Sequence, residues 1–505
     1  MFDTYFCSRG ADIHSSDLDG NSPTMVAASY GYVDIVRFLQ ESGADMNKVN
    51  RKELNILHLA AQFDRHDMIC HLAENEEVRS LVNNTEMYEN TPLHIASKLG
   101  FTNTVKELLE NNFDVQVDQK NEDEKTAIHL ASAGGHEEVL KLLLKKDPNG
   151  IRDKDEENNT PLHLAATNKM TRTLNILLDQ GYLMHDENKN AWTPLDCAAA
   201  SGAYKCADLL LKYGSPVDPR DRNSTTPLHL SAKHGHHKIV KLLLDSGADL
   251  SIEHDNGMTA LELAISNRNR NATKAIIDDE NWDIAFKHIT QERDSRGEMI
   301  PITPLRRLIR VFPDLAEEIL DKCKAWKPLN NEEDDAEENK DKLEEQNQIE
   351  FDFQYLDDTF SIKKEDGKFV YRDRGEDDFT AYHKKKYVAF ENHPLMMMVR
   401  EQRTHLLRHP VCLALMKHKW TKVGMPIFLL NLAIYIFYLS LLTVYTLGTL
   451  NYDTYPRDSP LSPGPDISPP PVPDHLLVCR YLVLVTLVLL LGGEVAEWYR
   501  VGINS

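Results

Sequence analysis

The chain has 505 residues, long for one ordinary domain, so a periodic architecture is the first expectation. Its net charge of −22 argues against a nucleic-acid partner, and half of that charge lies in residues 331–358, where thirteen acidic residues face two basic ones. The seven cysteines form no CxxC pair and no Cys/His metal spacing, as expected of free thiols in a reducing cytosol. The stretch from Met1 to Asp12 has no apolar core of signal-peptide length, so membrane targeting is expected to fall to a later segment.

From Gly10 to Asp279 the sequence repeats. Phrases opening Ser22-Pro23, Asn55-Ile56, Thr91-Pro92, Thr126-Ala127, Thr160-Pro161, Thr193-Pro194, Thr226-Pro227 and Thr259-Ala260 are separated by 33, 36, 35, 34, 33, 33 and 33 residues. The fullest copy runs from Thr226-Pro227-Leu228-His229 through Ala232, then Gly235-His236, an apolar run from Ile239 to Leu244, and Gly247-Ala248-Asp249. Threonine caps a helix whose first position is proline, where the missing N–H is harmless. Gly235 can end that helix with positive φ, and the run after it gives a second helix its buried face. One such pair cannot bury its apolar surface alone, so neighbours stack into a solenoid.

A period near 33 that opens T-P-L-H-x-A is the ankyrin signature, which assigns residues 1–280 to about eight repeats. A partial copy, Arg9-Gly10-Ala11-Asp12-Ile13, precedes them, and the array reads as truncated at its start. His58, His94, His129, His163 and His229 recur at one repeat position. That recurrence assigns them to the repeat's own hydrogen bonding rather than to metal or catalysis; Met25, Asp196 and Glu262 replace histidine at the same position. Nothing resembles a nucleophile elbow, a P-loop or a zincin helix, so no enzyme is expected.

After Trp282 the period fails. Residues 281–330 read as a helical linker with prolines 304 and 313 opening two helices, the second from Asp314 to Ala325. Residues 331–350 read as an acidic disordered loop and 351–392, with alternating Phe351, Phe353, Tyr355, Phe369 and Tyr371, as a small strand region. Residues 393–424 read as two pre-membrane helices, the second with Cys412, Met416 and Trp420 on one face; the methionines are expected to fill core.

Residues 425–450 lack ionisable side chains other than tyrosine and are long enough to cross a bilayer. Arg400, Arg403, Arg408, Lys417, Lys419 and Lys422 precede them, whereas the Pro-rich loop 451–475 has Arg457 alone, which predicts a cytosolic N-terminus. The lysines are expected near anionic lipid headgroups. A shorter apolar run makes 476–493 a second span, with 494–505 cytosolic. The expected fold class is therefore mainly α: an ankyrin-repeat solenoid, a mixed helix/strand linker and two transmembrane helices.

The order of these parts, with H-P-L-x-x-M-V at His393–Val399, L-L-x-H-P-V-C at Leu406–Cys412 and M-K-x-K-W at Met416–Trp420 leading into the first span, resembles the ankyrin-type transient receptor potential channels, the TRPA family. The resemblance implies a homotetrameric, calcium-permeable, nonselective cation channel of the plasma membrane, multi-pass, gated by chemical irritants or temperature. It also implies electrophile-sensing cysteines, matched here by Cys323 and Cys412; a third would fall after Tyr355-Leu356, where this chain has Asp357-Asp358. Independently, Cys412 falls in the first turn of a helix near Arg408, which favours a thiolate, while Cys323 sits between Lys322 and Lys324 but near a helix C-terminus, which opposes one.

At the end of the second span, Glu494 matches a family calcium ligand, and Glu497 replaces the family's glutamine three residues on; the two carboxylates share a helix face. No cofactor is expected beyond calcium as a modulator. Two spans supply no pore, so the chain reads as the sensing and coupling part of a channel subunit, truncated before the pore. The rival reading is a membrane-tethered ankyrin scaffold that recruits cytosolic proteins and does not conduct.

Overall fold

The structure, a computed structural model, describes residues 12–453 apart from 112, 182–183, 294–298, 329–346, 354, 357–361, 366–367 and 372–392, and beyond them residues 478, 481, 482 and 485. The chain forms two compact units, residues 1–322 with 354–404 and residues 323–353 with 405–505.

In the first unit the eight phrases each open a short inner helix, from Pro23–Tyr30 through Ile56–Gln62, Pro92–Leu99, Ala127–Gly134, Pro161–Thr167, Pro194–Ser201 and Pro227–His234 to Ala260–Ser266. An antiparallel outer helix follows each, as Thr171–Asp179 follows Pro161–Thr167. Consecutive inner helices pack on one another, and so do consecutive outer helices. Leu162, Ala165, Leu174 and Leu177 of the fifth repeat are fully buried, as are Leu195, Ala198 and Leu210 of the sixth. Each buried leucine contributes about 1.5–3 kcal/mol. A finger-like turn joins each outer helix to the next inner one.

The repeated histidine is the hub of the inner helices that carry it. In the fourth repeat the Thr126 N–H donates to His129 Nδ1 (3.2 Å), and Nε2 lies 3.2 Å from the carbonyl oxygen of Asn159 in the next repeat's finger. A backbone N–H can only donate, so Nδ1 carries no proton and Nε2–H must donate to that carbonyl. The same pair of bonds recurs at His94 with Lys125 O and at His163 with Trp192 O, and Asn55 replaces threonine before His58, whose Nε2 meets Asn90 O. Burial pushes His58, His94, His129 and His163 down to about 4, against the raising effect of the carbonyls, so these rings are neutral.

A second link runs along the finger edge, where the Met87 N–H donates to Lys52 O, Glu122 to Tyr88 O, Glu156 to Asp123 O and Lys189 to Glu157 O. A third lies on the outer side. His236 Nε2 donates to Ala200 O (3.2 Å) across Gly202, whose φ of +79° and lack of a Cβ both matter, since a Cβ there would meet the His236 ring at 2.6 Å.

The array does not stop where the period does. Thr303-Pro304-Leu305 opens the helix Pro304–Val311, which packs on Ala260–Ser266 as a further inner helix, and Pro313–Lys322 follows it as an outer one. Glu262, at the histidine position of the eighth repeat, accepts from the Thr259 N–H (3.1 Å), from His288 (2.9 Å) and from the Thr290 hydroxyl (2.9 Å). Trp282, Phe286 and Tyr355 stack alongside, with centroids 5.4–6.0 Å apart.

The purely helical reading of 281–330 needs correction. Thr290–Arg293 pairs antiparallel with Met299–Ile302, and Lys324–Pro328 pairs with Asn347–Phe351. The helix expected from Asp314 to Ala325 ends at Lys322, and residues 347–350, assigned to the acidic loop, are strand. Strand pairing is a long-range contact that no local periodicity reports. A third hairpin, Ile362–Glu365 with Lys368–Tyr371, falls in the expected strand region, so the strands are three two-stranded pairs in a mainly helical chain.

In the second unit Pro410–Lys419 runs through a π-helical turn, Trp420–Gly424, into Met425–Asp453. Met425–Leu447 is long and apolar enough to span a bilayer, and its side chains are exposed, Leu430 by 62% and Ile436 by 57%. The second expected span, 476–493, lies almost wholly outside the described residues, as does the Pro-rich loop from residue 454. Among the described residues, one helix is long and apolar enough to cross a bilayer, where two were expected.

The neutral histidines make array stability pH-dependent. The unfolded chain protonates them below their ordinary pKa of 6.5, whereas the folded array holds them neutral down to about 4. Stability present above pH 6.5 is thus lost as pH falls through that window, by roughly 3 kcal/mol per ring. His129→Ala is expected to destabilise the detergent-solubilised chain by about 1–3 kcal/mol at pH 7.5 and by less at pH 4.5, where wild type also loses the ring's contribution; thermal midpoints by circular dichroism at the two pH values check this.

Candidate functional site

Each of the two pre-membrane helices opens with the same device. His393 Nδ1 accepts from the Leu395 N–H (3.1 Å), and His409 Nδ1 from the Val411 N–H (3.4 Å), with Pro394 and Pro410 at the next position in each case. The histidine caps a helix whose proline donates nothing, and so fixes where Cys412 falls. The buried stripe of Pro410–Lys419 is Val411, Cys412 and Leu415, whereas Met416 is 38% and Trp420 53% exposed. The face shared by Cys412, Met416 and Trp420 is thus buried only at Cys412. Met397 and Met398 are fully buried, in keeping with methionine as core filler.

The structure brings the two sequence-selected cysteines of the second unit together. Cys323 lies between the helix Pro313–Lys322 and the strand Lys324–Pro328, and its carbonyl accepts from the Asp352 N–H (2.9 Å), which extends the pairing of that strand with Asn347–Phe351. Its thiol is within electrostatic reach of both Asp352 and the Cys412 thiol.

The expected thiolate at Cys412 is not what the structure supports. Cys412 is fully buried and Cys323 is 7% exposed. Burial pushes both thiols up to about 12, and at Cys323 the charge of Asp352 and the neighbouring Cys412 add to it. Both are neutral thiols at physiological pH. Cys70, which sequence reasoning passed over, is exposed, and Cys197 and Cys206 are buried within the repeats. Glu494, Glu497 and the pair Asp357-Asp358 lie outside the described residues.

Sequence reasoning also missed the turn that leads into the apolar helix. The Trp420 ring covers Gly424, where a Cβ would meet ring carbon Cε3 at 2.6 Å, and lies 6.1 Å from the Phe428 ring. The spacing Trp-x-x-x-Gly was its available signal, because residues four apart share a helix face.

The family model for ankyrin repeats in three copies matches residues 3–80, 70–152, 147–223 and 213–287, more than half of the chain. The transient receptor potential cation channel subfamily A member 1 homolog of Caenorhabditis elegans is 26% identical over 468 residues, covering 87% of this chain and 31% of the relative. The Homo sapiens subfamily A member 1 is 28% identical over 192 residues, 37% of this chain and 17% of the relative. Inversin of Canis lupus familiaris is 30% identical over 138 residues, 27% of this chain and 12% of the relative. The chain thus spans under a third of the length of these relatives. A match to 87% of 505 residues cannot fit inside the array and must run on through the linker towards the apolar helix. The chain therefore belongs to the ankyrin-repeat family, and it is a TRPA-like N-terminal region, with the array, the linker and a helix apolar enough to cross a bilayer in one sequence.

Proposed function

We propose that this chain is the sensing and coupling part of a calcium-permeable, nonselective cation-channel subunit that lies in the plasma membrane with its N-terminus in the cytosol and assembles as a homotetramer. The observation that carries the reading is the continuity of the match to the nematode channel homolog, from the repeats to the pre-membrane helices. A scaffold that shared only its repeats with other proteins would match over the array alone; the match to inversin is 138 residues long, short enough to fit inside the array. The basic residues Lys417, Lys419 and Lys422 ahead of Met425 favour a cytosolic N-terminal side.

Electrophile sensing at Cys323 and Cys412 is part of the same proposal. Because both thiols are protonated and covered, their reaction is conditional: a reagent reaches them when the hairpin that follows Cys323 is displaced. Sensing would then report a conformational state rather than a permanently reactive thiolate.

Three outcomes are expected. A chimera in which this chain replaces the matching N-terminal region of the nematode relative should carry cation current on exposure to a thiol-reactive irritant; a chimera that reaches the cell surface and stays silent would remove the coupling role. In brief, dilute iodoacetamide labelling of the purified chain, Cys70 should react at least about tenfold faster than Cys323 and Cys412. Ala325→Pro, which breaks the strand after Cys323, should raise labelling of both buried thiols together, and mass-spectrometric mapping in which only one responds would separate their roles.

A further inference from the structure

The boundary between the sixth and seventh repeats differs from the others in this array. Asp196 holds the histidine position of the sixth repeat and is fully buried. Its Oδ2 accepts from the Thr193 N–H (2.9 Å) and hydroxyl (2.8 Å), as histidine Nδ1 does elsewhere, but its Oδ1 is buried with no hydrogen-bond partner. In the preceding repeat the matching atom is His163 Nε2, which donates to Trp192 O, the residue before the next Thr-Pro. The residue in that register one repeat later is Thr225.

The finger edge is interrupted at the same place. Adjacent fingers are joined by a backbone bond on both sides, Lys189 N–H to Glu157 O before and Asp255 N–H to Asn223 O after, yet among the described residues none joins Arg222 to Asn190. At the base of this finger Asp221 accepts from Trp192 Nε1 (3.0 Å), where Asn121 and Asn188 donate to Asn90 and Asn159 (2.9 Å each); Asp155 at the fourth boundary is likewise an acid, so the base alone does not set this boundary apart. The outer side is intact, because His236 still donates to Ala200 O.

We propose that this boundary is a proton-operated seam: with a proton on Asp196 Oδ1 the finger edge closes, and with Asp196 ionised that edge opens about the outer link of His236 to Ala200. A protonated Oδ1 supplies the single donor that Nε2–H supplies at His58, His94, His129 and His163, in register with the Thr225 carbonyl. Ionised, it presents only lone pairs to that carbonyl, in a buried place where an unpaired charge is strongly disfavoured. The proton is exchanged with solvent as the edge opens.

The charges around Asp196 act in the same direction. Burial pushes it up to about 7 against the lowering effect of the Thr193 bonds, and Asp221 on the next finger and Glu187 before its own repeat raise it further. The packed inner helices on either side carry neutral His163 and His229 at the equivalent position, and the adjoining thiols of Cys197 and Cys206 are protonated. None of these groups supplies a cation. A carboxyl raised in the closed seam stabilises that seam below the ordinary carboxylate pKa of 3.8 and loses the contribution as pH rises through about 7. This sign is opposite to that of the histidines.

Hydrogen exchange read by mass spectrometry on the full chain in detergent micelles tests the seam. After correction for intrinsic rates, amides 222–226 should exchange about tenfold faster at pH 8 than at pH 6, the change in opening equilibrium that linkage gives for a group near 7 when closed and near 4 when open. Amides 156–159 at the fourth boundary should show no such step. Asp196→Asn, neutral at both pH values and able to donate, should abolish the step and hold the pH 6 protection. Asp196→His, which restores the residue used elsewhere, should do the same and serves if the asparagine variant fails to fold. Equal exchange of wild type at the two pH values, or a step that survives in either variant, would overturn the proposal.

Discussion

The array depends on one polar interaction repeated at His58, His94, His129 and His163, a neutral imidazole that accepts at Nδ1 from its own repeat and donates at Nε2 to the next, whereas Nε2 of His229 is buried without a hydrogen-bond partner among the described residues. The geometry admits one tautomer, because the Thr126 N–H occupies Nδ1 and the Asn159 carbonyl requires a proton on Nε2. Burial then selects the neutral ring over the charged one. In a solenoid each repeat touches only its neighbours, so stability is a sum of repeat terms and boundary terms, and a boundary that lacks its polar link is locally weak rather than averaged away. Three inner helices lack the histidine, with three different consequences. Met25 stands near the start of the array, and its sulfur lies 3.5 Å from the Ser22 N–H. Glu262 gains partners from beyond the repeats, His288 and Thr290. Asp196 is interior and its second oxygen gains none.

The substitution at Glu262 explains how the array passes into the linker. A histidine there would donate to one further finger, but no further finger of the repeat type exists among the described residues. A carboxylate instead gathers His288 and Thr290, with the Arg307 guanidinium 3.9 Å away, and so ties the hairpin Thr290–Ile302 and the helix Pro304–Val311 onto the eighth repeat. Pro304–Val311 in turn packs against Pro394–Arg400, and the Arg403 guanidinium donates to the Arg310 carbonyl (3.3 Å). Within the first unit the repeats and the first pre-membrane helix are therefore one packed body, which is the physical requirement for a displacement in the array to be felt at that helix.

The repeats were legible because their signals are local. Thr-Pro at a helix start, glycine at its end and histidine three residues after threonine are each set by interactions within a few residues, and the period of 33 multiplies them. The long apolar helix was legible from composition alone. What escaped were features that combine distant residues. Thr303-Pro304-Leu305 carries the same opening phrase, but it lies 44 residues from Thr259 and has arginine at the histidine position, so the spacing test passes over it. Lys324–Pro328 finds its partner across an acidic tract that has no strand signal. At the candidate site, the helix start that fixes Cys412 was readable from His409-Pro410, whereas the proximity of Cys412 to Cys323 depends on chain segments almost ninety residues apart.

The cysteines show why reading charge from sequence fails at a buried site. A helix N-terminus favours an anion by about 0.3–1 kcal/mol, under one pKa unit. Burial acts on the same thiol in the opposite direction and lifts Cys412 to about 12, roughly three units above its ordinary value, or about 4 kcal/mol. Desolvation wins by a wide margin, and Arg408 does not enter the balance at Cys412. Sequence shows the dipole and the neighbouring cation because both are local, and hides the burial because Val411, Cys412 and Leu415 turn inward only once the fold is complete. A thiol held this way is unreactive in the closed state, and exposure alone restores both its ionisation and its access. Reactivity at Cys412 therefore depends on its exposure rather than on the intrinsic pKa of its helix position.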